Sequence, residues 1–332
     1  MKLLMTLVLL IYCQLLSAVA EKDLPYLWNE EILPHFHTLN HDYMINSKGL
    51  KVSHYSLTNS SNSKTLVIIP GRTESSMKYA EVIYDLRHSG FDIFIIDHQG
   101  QGFSDRVLRD PHKGYVRHFH HYVDDVAQWM EEVVKPKSEG KELFLFAHSM
   151  GGAIAVHYMA KHPEVFKRAV LSAPMLQINT HPYSELVAKL YSKLLITLRK
   201  ATGYTPGWGP YLPEEDIFEN NTNTHSELRF KASRSLLEVY PELIVHAPTV
   251  RWTHEALKAT EFIHYKADKI KTSLLLFQSG KDQTVKPERQ NQFCKRAANC
   301  RISYYPNSFH EPLMEVDEIR NQAMKELKDF LK

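Results

Sequence analysis

The sequence predicts an α/β fold in which a mostly parallel sheet carries helices on both faces and a helical cap interrupts the chain. Three observations indicate this fold. Short, almost wholly apolar strands alternate with helix-periodic segments, the alternation stops over residues 175–255, and it resumes afterwards with the same rhythm. Near-continuous apolar strands alternating with helices are typical of parallel sheets that are buried on both faces.

The elements follow in a regular order. A hairpin signature around Asn46-Ser47-Lys48-Gly49 comes first. The first half of the alternation then predicts strands at 65–71, 91–97, 142–147 and 167–174, and helices at 77–90, 122–134 and 150–161. The second half predicts strands at 272–280 and 301–306, and helices at 287–298 and 315–331. We therefore expect a core of residues 21–174 and 256–332, with a cap formed by residues 175–255.

The first twenty residues have a composition of their own. Lys2 precedes an apolar run from Leu3 to Cys13, and the small-x-small pattern Ala18-Val19-Ala20 stands before Glu21. The run is shorter than the roughly 20 apolar residues that a membrane span needs, so we expect residues 1–20 to be a cleavable secretory signal. An uncleaved amphiphilic anchor is the alternative. The expected location is a bacterial periplasm or the outside of the cell, with membrane association as a further option.

Composition, charge and cysteine content exclude several classes of function. The 332 residues carry a net charge of +2, and no block of Lys and Arg forms a footprint for nucleic acid. Loss of the signal would leave Cys294 and Cys300, whose spacing suits a disulfide in an oxidising compartment. The histidines are scattered, and those at 118–121 lack a companion ligand set, so we expect neither a metal nor another cofactor.

Ser149 stands between a predicted strand and a predicted helix. At such a turn the motif G-x-S-x-G exposes a nucleophilic serine, and its glycines allow strand and helix backbones to approach closely. Here Ala147 replaces the first glycine, adding only a methyl group, and Gly151 and Gly152 follow the serine. An ordinary serine N-cap would explain Ser149 but not the paired glycines. We therefore predict that Ser149 is a nucleophile.

A serine nucleophile needs a base and an acid that orients the base. Asp282 follows a late strand and His310 follows the last strand, so both are expected at the same edge of the sheet as Ser149. Taken singly, Asp282 could be a turn residue and His310 a polar group at a helix entry. The order Ser, Asp, His at three strand ends predicts a catalytic triad.

Acyl transfer also needs N–H donors for the oxyanion. We expect one from Met150, the residue after the nucleophile, and one from Arg72, where Gly71 lets the loop after the first parallel strand turn. The Arg72 side chain has two open interpretations. It could hold a substrate phosphate, or it could pair with Glu74 or Glu81.

Several motifs together resemble the bacterial lysophospholipase and monoacylglycerol lipase branch of the α/β-hydrolase superfamily. They are PGRTESSMKYAEVIYDL, IDHQGQGFSDR, DPHKGYVRHFHHYVDDV, AHSMGGAI, SAPM and HEPLME. The resemblance implies an α/β-hydrolase fold, and its catalytic positions fall on Ser149, Asp282, His310 and the amides of Arg72 and Met150. The D-H-x-G-x-G-x-S segment from Asp97 to Ser104 is interpreted as a structural turn beside the site.

The expected function is hydrolysis of the carboxylic ester of a single-chain lipid by a serine lysophospholipase. The resemblance also allows transfer of the acyl group to a lipid alcohol. A monoacylglycerol lipase or carboxylesterase is the alternative. A peptidase of the proline-iminopeptidase type would need an acidic cluster to bind an amine, for which Glu214, Glu215 and Asp216 are available. The expected partner is a lysophospholipid or a monoacylglycerol, and no oligomeric state is predicted.

The cap contains an amphipathic basic helix. Its apolar side is formed by Val187, Leu190, Tyr191, Leu194, Leu195 and Leu198, with Lys189, Lys193, Arg199 and Lys200 interleaved. This face could contact an anionic membrane surface, or it could pack on the core. Trp208 and Trp252 could line an acyl tunnel or serve in core packing.

Overall fold

The computed structural model describes residues 18–332 and is built on one eight-stranded sheet. Its strands are β1 Asn40–Ile45, β2 Lys51–Leu57, β3 Lys64–Ile69, β4 Phe91–Ile96, β5 Glu142–His148, β6 Arg168–Ser172, β7 Ser273–Ser279 and β8 Cys300–Tyr305. They are ordered β1-β2-β4-β3-β5-β6-β7-β8. β2 pairs antiparallel with β1 and β4, and all other pairs are parallel. The predicted, mostly parallel sheet is confirmed.

In the described part of the chain, eight longer helices accompany the sheet. They are α1 Ala80–Leu86, α2 His120–Trp129, α3 Met150–Met159, α4 Glu185–Thr197, α5 Glu227–Val239, α6 Val250–Thr260, α7 Pro287–Arg296 and α8 Asp317–Phe330. α2 continues through a π-helical turn, Met130–Val134. Each helix predicted for the core is present, with ends displaced by a few residues.

Both faces of the sheet are buried under apolar side chains. Successive side chains along a strand point to opposite sides, so each strand contributes to both faces. In β3, Leu66 and Ile68 belong to one apolar cluster, whereas Val67 and Ile69 belong to the other. α3 lies within one of these clusters, and all its residues except His157 are buried. The two clusters cover the two faces of the sheet. Because β3, β5, β7 and β8 run parallel, the loops that follow them lie at the same edge.

The segment between β6 and β7, expected to form the cap and called the cap below, contains α4, α5 and α6 with the loops between them. Each of these helices begins at a hydroxyl side chain that accepts a backbone N–H from the first turn: Ser184, Ser226 and Thr249. Only the first was foreseen as a helix. The expected boundary between residues 255 and 256 falls inside α6, which packs against α4.

The chain before β1 is tied to the core and to the cap. Short helical turns occupy residues 21–36, and Val19 is buried. The Val19 N–H donates to Asp85 Oδ1 (2.9 Å), and its carbonyl accepts from Arg229 Nη2 (3.0 Å). The Glu21 N–H donates to both carboxylate oxygens of Asp317. Residues 18–20 of the expected signal are therefore packed into the fold.

Residues 1–17, which hold most of the expected signal and Cys13, lie outside the described residues. Within residues 18–332, no helix combines the length and apolar character needed to cross a bilayer. A disulfide joins Cys294 at the end of α7 to Cys300 at the start of β8, as the spacing predicts.

Candidate active site

Ser149 forms the sharp turn between β5 and α3. Its backbone has φ 49° and ψ −117°, a conformation that a side-chain-bearing residue rarely adopts. The surrounding hydrogen bonds hold it there: the Ser149 N–H donates to Ser172 O (3.0 Å), and Ser149 O accepts from the amides of Gly152 and Met175. Backbone strain of this kind persists only where neighbouring structure over-determines it.

The paired glycines allow this turn to lie against two neighbouring segments. A Cβ at Gly151 would stand 2.1 Å from Ile69 O, and one at Gly152 would stand 2.6 Å from Pro174 Cβ. Neither position has room for a side chain. Ala147 is fully buried, so its methyl group is accommodated where the motif has its first glycine.

Asp282, His310 and Ser149 form one hydrogen-bonded chain. His310 Nε2 lies 2.8 Å from Ser149 Oγ, and His310 Nδ1 lies 2.7 Å from Asp282 Oδ2. The other carboxylate oxygen of Asp282 accepts the N–H groups of Thr284 and Val285. The structure thus brings together the three side chains that the sequence selected from the ends of β5, β7 and β8.

The pKa shifts of His310 and Asp282 suit a catalytic base that is hydrogen-bonded to a carboxylate. Burial would lower the pKa of His310, but the Asp282 carboxylate, together with Glu311 and Glu74, outweighs burial and raises it. Burial would raise the pKa of Asp282, yet His310 and the two donated amides hold it below its usual value. Asp282 is therefore ionised at neutral pH and stabilises the imidazolium that forms when His310 accepts a proton.

The loop of residues 70–74, here called the 70–74 loop, lies directly beside the serine. A Cβ on Gly71 would be 3.2 Å from Ser149 Cβ, so the two backbones are in close approach. Thr73 has a positive φ of 61°, which turns the loop. Among the described residues, no acceptor is bonded to the N–H of Arg72 or Met150. These are the two amides expected to face the oxyanion.

The Asp97–Ser104 segment holds the 70–74 loop in place. Gln101 Nε2 donates to Gly71 O (2.6 Å) and Glu74 O (3.0 Å), while its Oε1 accepts the Thr73 N–H. His98 Nε2 lies 3.0 Å from Pro70 O. The Asp97–Ser104 segment was expected to be a structural turn beside the site. Its side chains also position the 70–74 loop, because they hydrogen-bond the carbonyls of that loop.

A cavity of about 1110 Å³ opens above Ser149 and His310. Its roof comes from the cap, including Val187, Tyr191, Leu195, Trp208, Leu236, Leu237, Val250 and Trp252. Apolar cavities with a few convergent polar groups are typical of small-molecule sites. Both tryptophans named from the sequence line this cavity, and Trp252 also belongs to a core cluster.

The sequence profile of the family described as serine aminopeptidase, S33, matches residues 60–317. The chain belongs to the S33 family of α/β hydrolases. The resemblance inferred from the motifs is thereby confirmed, as is the α/β-hydrolase fold.

Curated relatives of this S33 chain have names of lipid-hydrolysing enzymes. Lysophospholipase L2 of Escherichia coli is 36% identical over 276 residues, which cover 80% of each chain. A probable lysophospholipase L2 of Haemophilus influenzae is 31% identical over 308 residues, covering 91% of this chain and 95% of the relative. The solved monoglyceride lipase of Saccharomyces cerevisiae has a TM-score of 0.70 at 18% identity, covering 89% and 95% of the two chains, and shows the shared fold.

A buried charged cluster lies next to the triad in this S33 site and was not foreseen from the sequence. Lys78 Nζ lies 2.9 Å from Glu74 Oε1 and 2.6 Å from Glu311 Oε1. Burial would raise the pKa of Glu74, but Lys78 and His148 outweigh burial and lower the pKa to about 2. Glu74 also accepts the N–H of Gly71, so the cluster is bonded to the 70–74 loop. The Glu74–Lys78 spacing of four residues was a visible signal, whereas Glu311 is distant in sequence.

The same cluster holds three groups of the kind that bind metals. Glu74, His148 and Glu311 offer ligand atoms within 4.8 Å of one another. The Lys78 ammonium already bonds both carboxylates and offsets part of their negative charge, and His148 Nδ1 lies 3.1 Å from Ser172 O. The structure therefore favours an ion-pair network here over a metal site.

Proposed function

We propose that this chain hydrolyses the carboxylic ester of a single-chain lipid, with a lysophospholipid as substrate. The observation that carries the proposal is the Ser149–His310–Asp282 hydrogen-bonded chain, placed at the floor of a cavity with an apolar roof. One acyl chain fits under such a roof, with its ester near Ser149. The names of the relatives, which include lysophospholipases and monoglyceride lipases, support the same substrate class.

The first half of the reaction acylates the serine. Ser149 Oγ attacks the ester carbonyl carbon while His310 Nε2 takes the hydroxyl proton, and Asp282 stabilises the resulting imidazolium. The carbonyl oxygen becomes an oxyanion, which the N–H groups of Arg72 and Met150 bind at about 3 kcal/mol each. Collapse breaks the bond to the glycerol oxygen, which leaves with the proton from His310.

The second half releases the acyl group. Water gives a proton to His310 and attacks the acyl carbon, and the serine oxygen then leaves and recovers the proton from His310. The products are a fatty acid and the glycerol-containing head group. An alcohol of a second lipid can replace water at this step, which gives acyl transfer with the same atoms of the enzyme.

A monoacylglycerol or another simple ester is the alternative substrate, since the bond cleaved is the same. The peptidase alternative is less well supported. Asp216 lines the cavity, but it accepts hydrogen bonds from Arg234 (2.8 Å) and Tyr211 (3.1 Å). Glu214 and Glu215 are exposed. The acidic residues therefore form no open pocket for a substrate amine within residues 18–332.

Contact with a membrane surface would give such an enzyme access to its lipid. The apolar side of α4 is exposed to solvent, including Leu186 at 60%, Leu190 at 56% and Leu194 at 53%. Lys193 is also exposed, as are Arg199 and Lys200 just beyond the helix. Basic amphipathic helices bind anionic lipid surfaces through both features. Val187 and Tyr191 of this helix also line the cavity, so the exposed face adjoins the entrance.

Export through the expected signal remains part of the proposal. The Cys294–Cys300 disulfide supports it, because disulfides persist in oxidising compartments and are rare in the cytosol. The final compartment is then a periplasm or the outside of the cell.

The test is fatty-acid release from lysophosphatidylethanolamine and, in parallel, from a monoacylglycerol with the same acyl chain. Ser149→Ala is the control, because it removes the nucleophile and leaves the cavity intact. Release from the lysophospholipid that the variant abolishes supports the proposal. Release from the monoacylglycerol alone would move the substrate to neutral lipids. No release from either would contradict the lipid assignment.

A further inference from the structure

We infer that the Arg72 guanidinium binds the phosphate of the substrate head group and so selects lysophospholipids over neutral single-chain lipids. This inference rests on the proposed function and names the residue that gives it its substrate class. It concerns the side chain of Arg72, whereas the oxyanion is assigned to the backbone N–H of the same residue.

The cations of the cavity differ in their partners. Of the lysine and arginine residues that line it, Lys78 bonds Glu74 and Glu311, and Arg234 bonds Asp216. Arg72 forms no ion pair with any described carboxylate, so the pairing with Glu74 or Glu81 considered from the sequence does not occur. Arg72 is therefore the lining cation whose charge is left for an external anion.

The Arg72 guanidinium is held in place by the protein, but not all of its N–H donors have a protein acceptor among the described residues. Its Nη1 donates to His246 O (2.7 Å), and its Cζ lies 5.2 Å from the centroid of the Trp252 ring. Among the described residues, Nε and Nη2 donate to no protein acceptor, and Arg72 is one of the residues that line the cavity. One bond and one aromatic face thus orient the group, and two donors remain for a ligand.

The electrostatics favour an anion at this position. Burial lowers the pKa of Arg72 to about 10, so the group is still charged at neutral pH. A desolvated charge without a partner is costly, and a phosphate oxygen would supply the missing partner. The planar guanidinium matches phosphate geometry and forms short, charge-assisted hydrogen bonds with it.

The position of Arg72 also fits the shape of a lysophospholipid. The scissile ester and the phosphate are attached to the two ends of a three-carbon glycerol unit. The Gly71 backbone lies close to Ser149, which places the Arg72 backbone near the ester, and the Arg72 guanidinium reaches His246 O and the Trp252 ring. One residue can therefore bind both the oxyanion and the head group.

The experiment measures kcat/KM for lysophosphatidylethanolamine and for a monoacylglycerol of the same acyl chain, and uses their ratio. A disturbance of the 70–74 loop affects both substrates and cancels in the ratio. We expect Arg72→Gln to lower the ratio about ten- to hundredfold, as for a lost charge-assisted contact. Arg72→Lys should lower it less, because the charge is kept. Arg296→Gln, the matched change at an arginine that pairs with Asp268 and does not line the cavity, should leave the ratio within about threefold of the wild type.

A second measurement uses inorganic phosphate as the probe of the same site. Inorganic phosphate should raise the apparent KM of the wild-type protein for the monoacylglycerol, and Arg72→Gln should abolish this effect. A ratio that Arg72→Gln leaves unchanged would overturn the assignment, even if phosphate still inhibits, since the site would then take free phosphate and not the head group. A wild-type protein that hydrolyses only the monoacylglycerol would overturn the proposed function, and this inference with it.

Discussion

The imidazole rings of His148 and His310 are neighbours, with centroids 4.9 Å apart and both side chains buried. Burial lowers the pKa of His148, while Asp282, Glu311 and Glu74 together outweigh burial at His310 and raise its pKa. The pKa of His148 is thus shifted down and that of His310 up, so His310 is the better proton acceptor of the two rings. A neutral His148 next to it adds no opposing charge when His310 accepts the proton.

The pH profile should show this shift. His310 acts as a base only when neutral, so activity is lost as the pH falls through its pKa. Because that pKa is raised above 6.5, the acid limb of kcat/KM should lie above pH 6.5. The Glu311 carboxylate contributes to the raised value, so Glu311→Gln should move the limb to lower pH. A limb that stays in place in this variant would contradict the electrostatic assignment.

Gly151→Ala should destabilise the protein strongly. The added Cβ would overlap Ile69 O, and relief requires β5 and β3 to separate at the active site. We expect a loss of at least about 1–3 kcal/mol in the free energy of unfolding, the usual cost of overpacking. Thermal unfolding measures it. Gly209→Ala is the matched control, since nothing lies within 4 Å of its Cβ position, and an equal loss there would refute the steric argument.

Gln101→Glu should impair catalysis more than folding. The change keeps the size of the side chain but removes the two N–H donors to Gly71 O and Glu74 O, which position the 70–74 loop. A displaced Arg72 amide weakens the oxyanion contact, so kcat should fall at least about tenfold, with a smaller change in KM. Steady-state kinetics with both lipids, at a temperature where the variant is folded, test this. An unchanged kcat would show that the loop is held without Gln101.

The residue at which the chain begins should affect its stability. A protein beginning at Glu21 lacks Val19, whose backbone bonds Asp85 and Arg229 and whose side chain is buried. The new α-ammonium beside Asp317 offsets part of the loss. We expect the chain that begins at Ala18 to be more stable by about 2 kcal/mol, from the lost hydrogen bonds and apolar burial. Equal unfolding temperatures would mean that the Val19 contacts are dispensable.

Most of the fold and the juxtaposition of Ser149, Asp282 and His310 could be predicted because their signals are local. Apolar strands bounded by loops place Ser149, Asp282 and His310 at strand ends, and parallel pairing brings those ends together. The Lys78–Glu311 pair could not be predicted, because it joins residues 233 positions apart through the tertiary fold.

The missed helices have physical reasons as well. α5 is largely polar, and it is held by Arg229, which is buried against Glu81 of α1 and Asp317 of α8. Such a helix depends on contacts that no periodicity reveals. The helical turns at 21–36 are interrupted by Pro25 and Pro34, each at the start of a short turn, so the segment has no long apolar repeat.

The positive φ of Ser149 places its hydroxyl beside His310 but destabilises the folded chain. Strained backbone of this kind costs of order 1–3 kcal/mol, and glycine adopts it without that cost. Ser149→Gly should therefore unfold at a higher temperature than Ser149→Ala, although both lack the nucleophile. The backbone conformation that keeps the Ser149 hydroxyl within hydrogen-bond distance of His310 therefore lowers the thermal stability of the protein. A single substitution to glycine should give a protein that is more heat-stable and inactive.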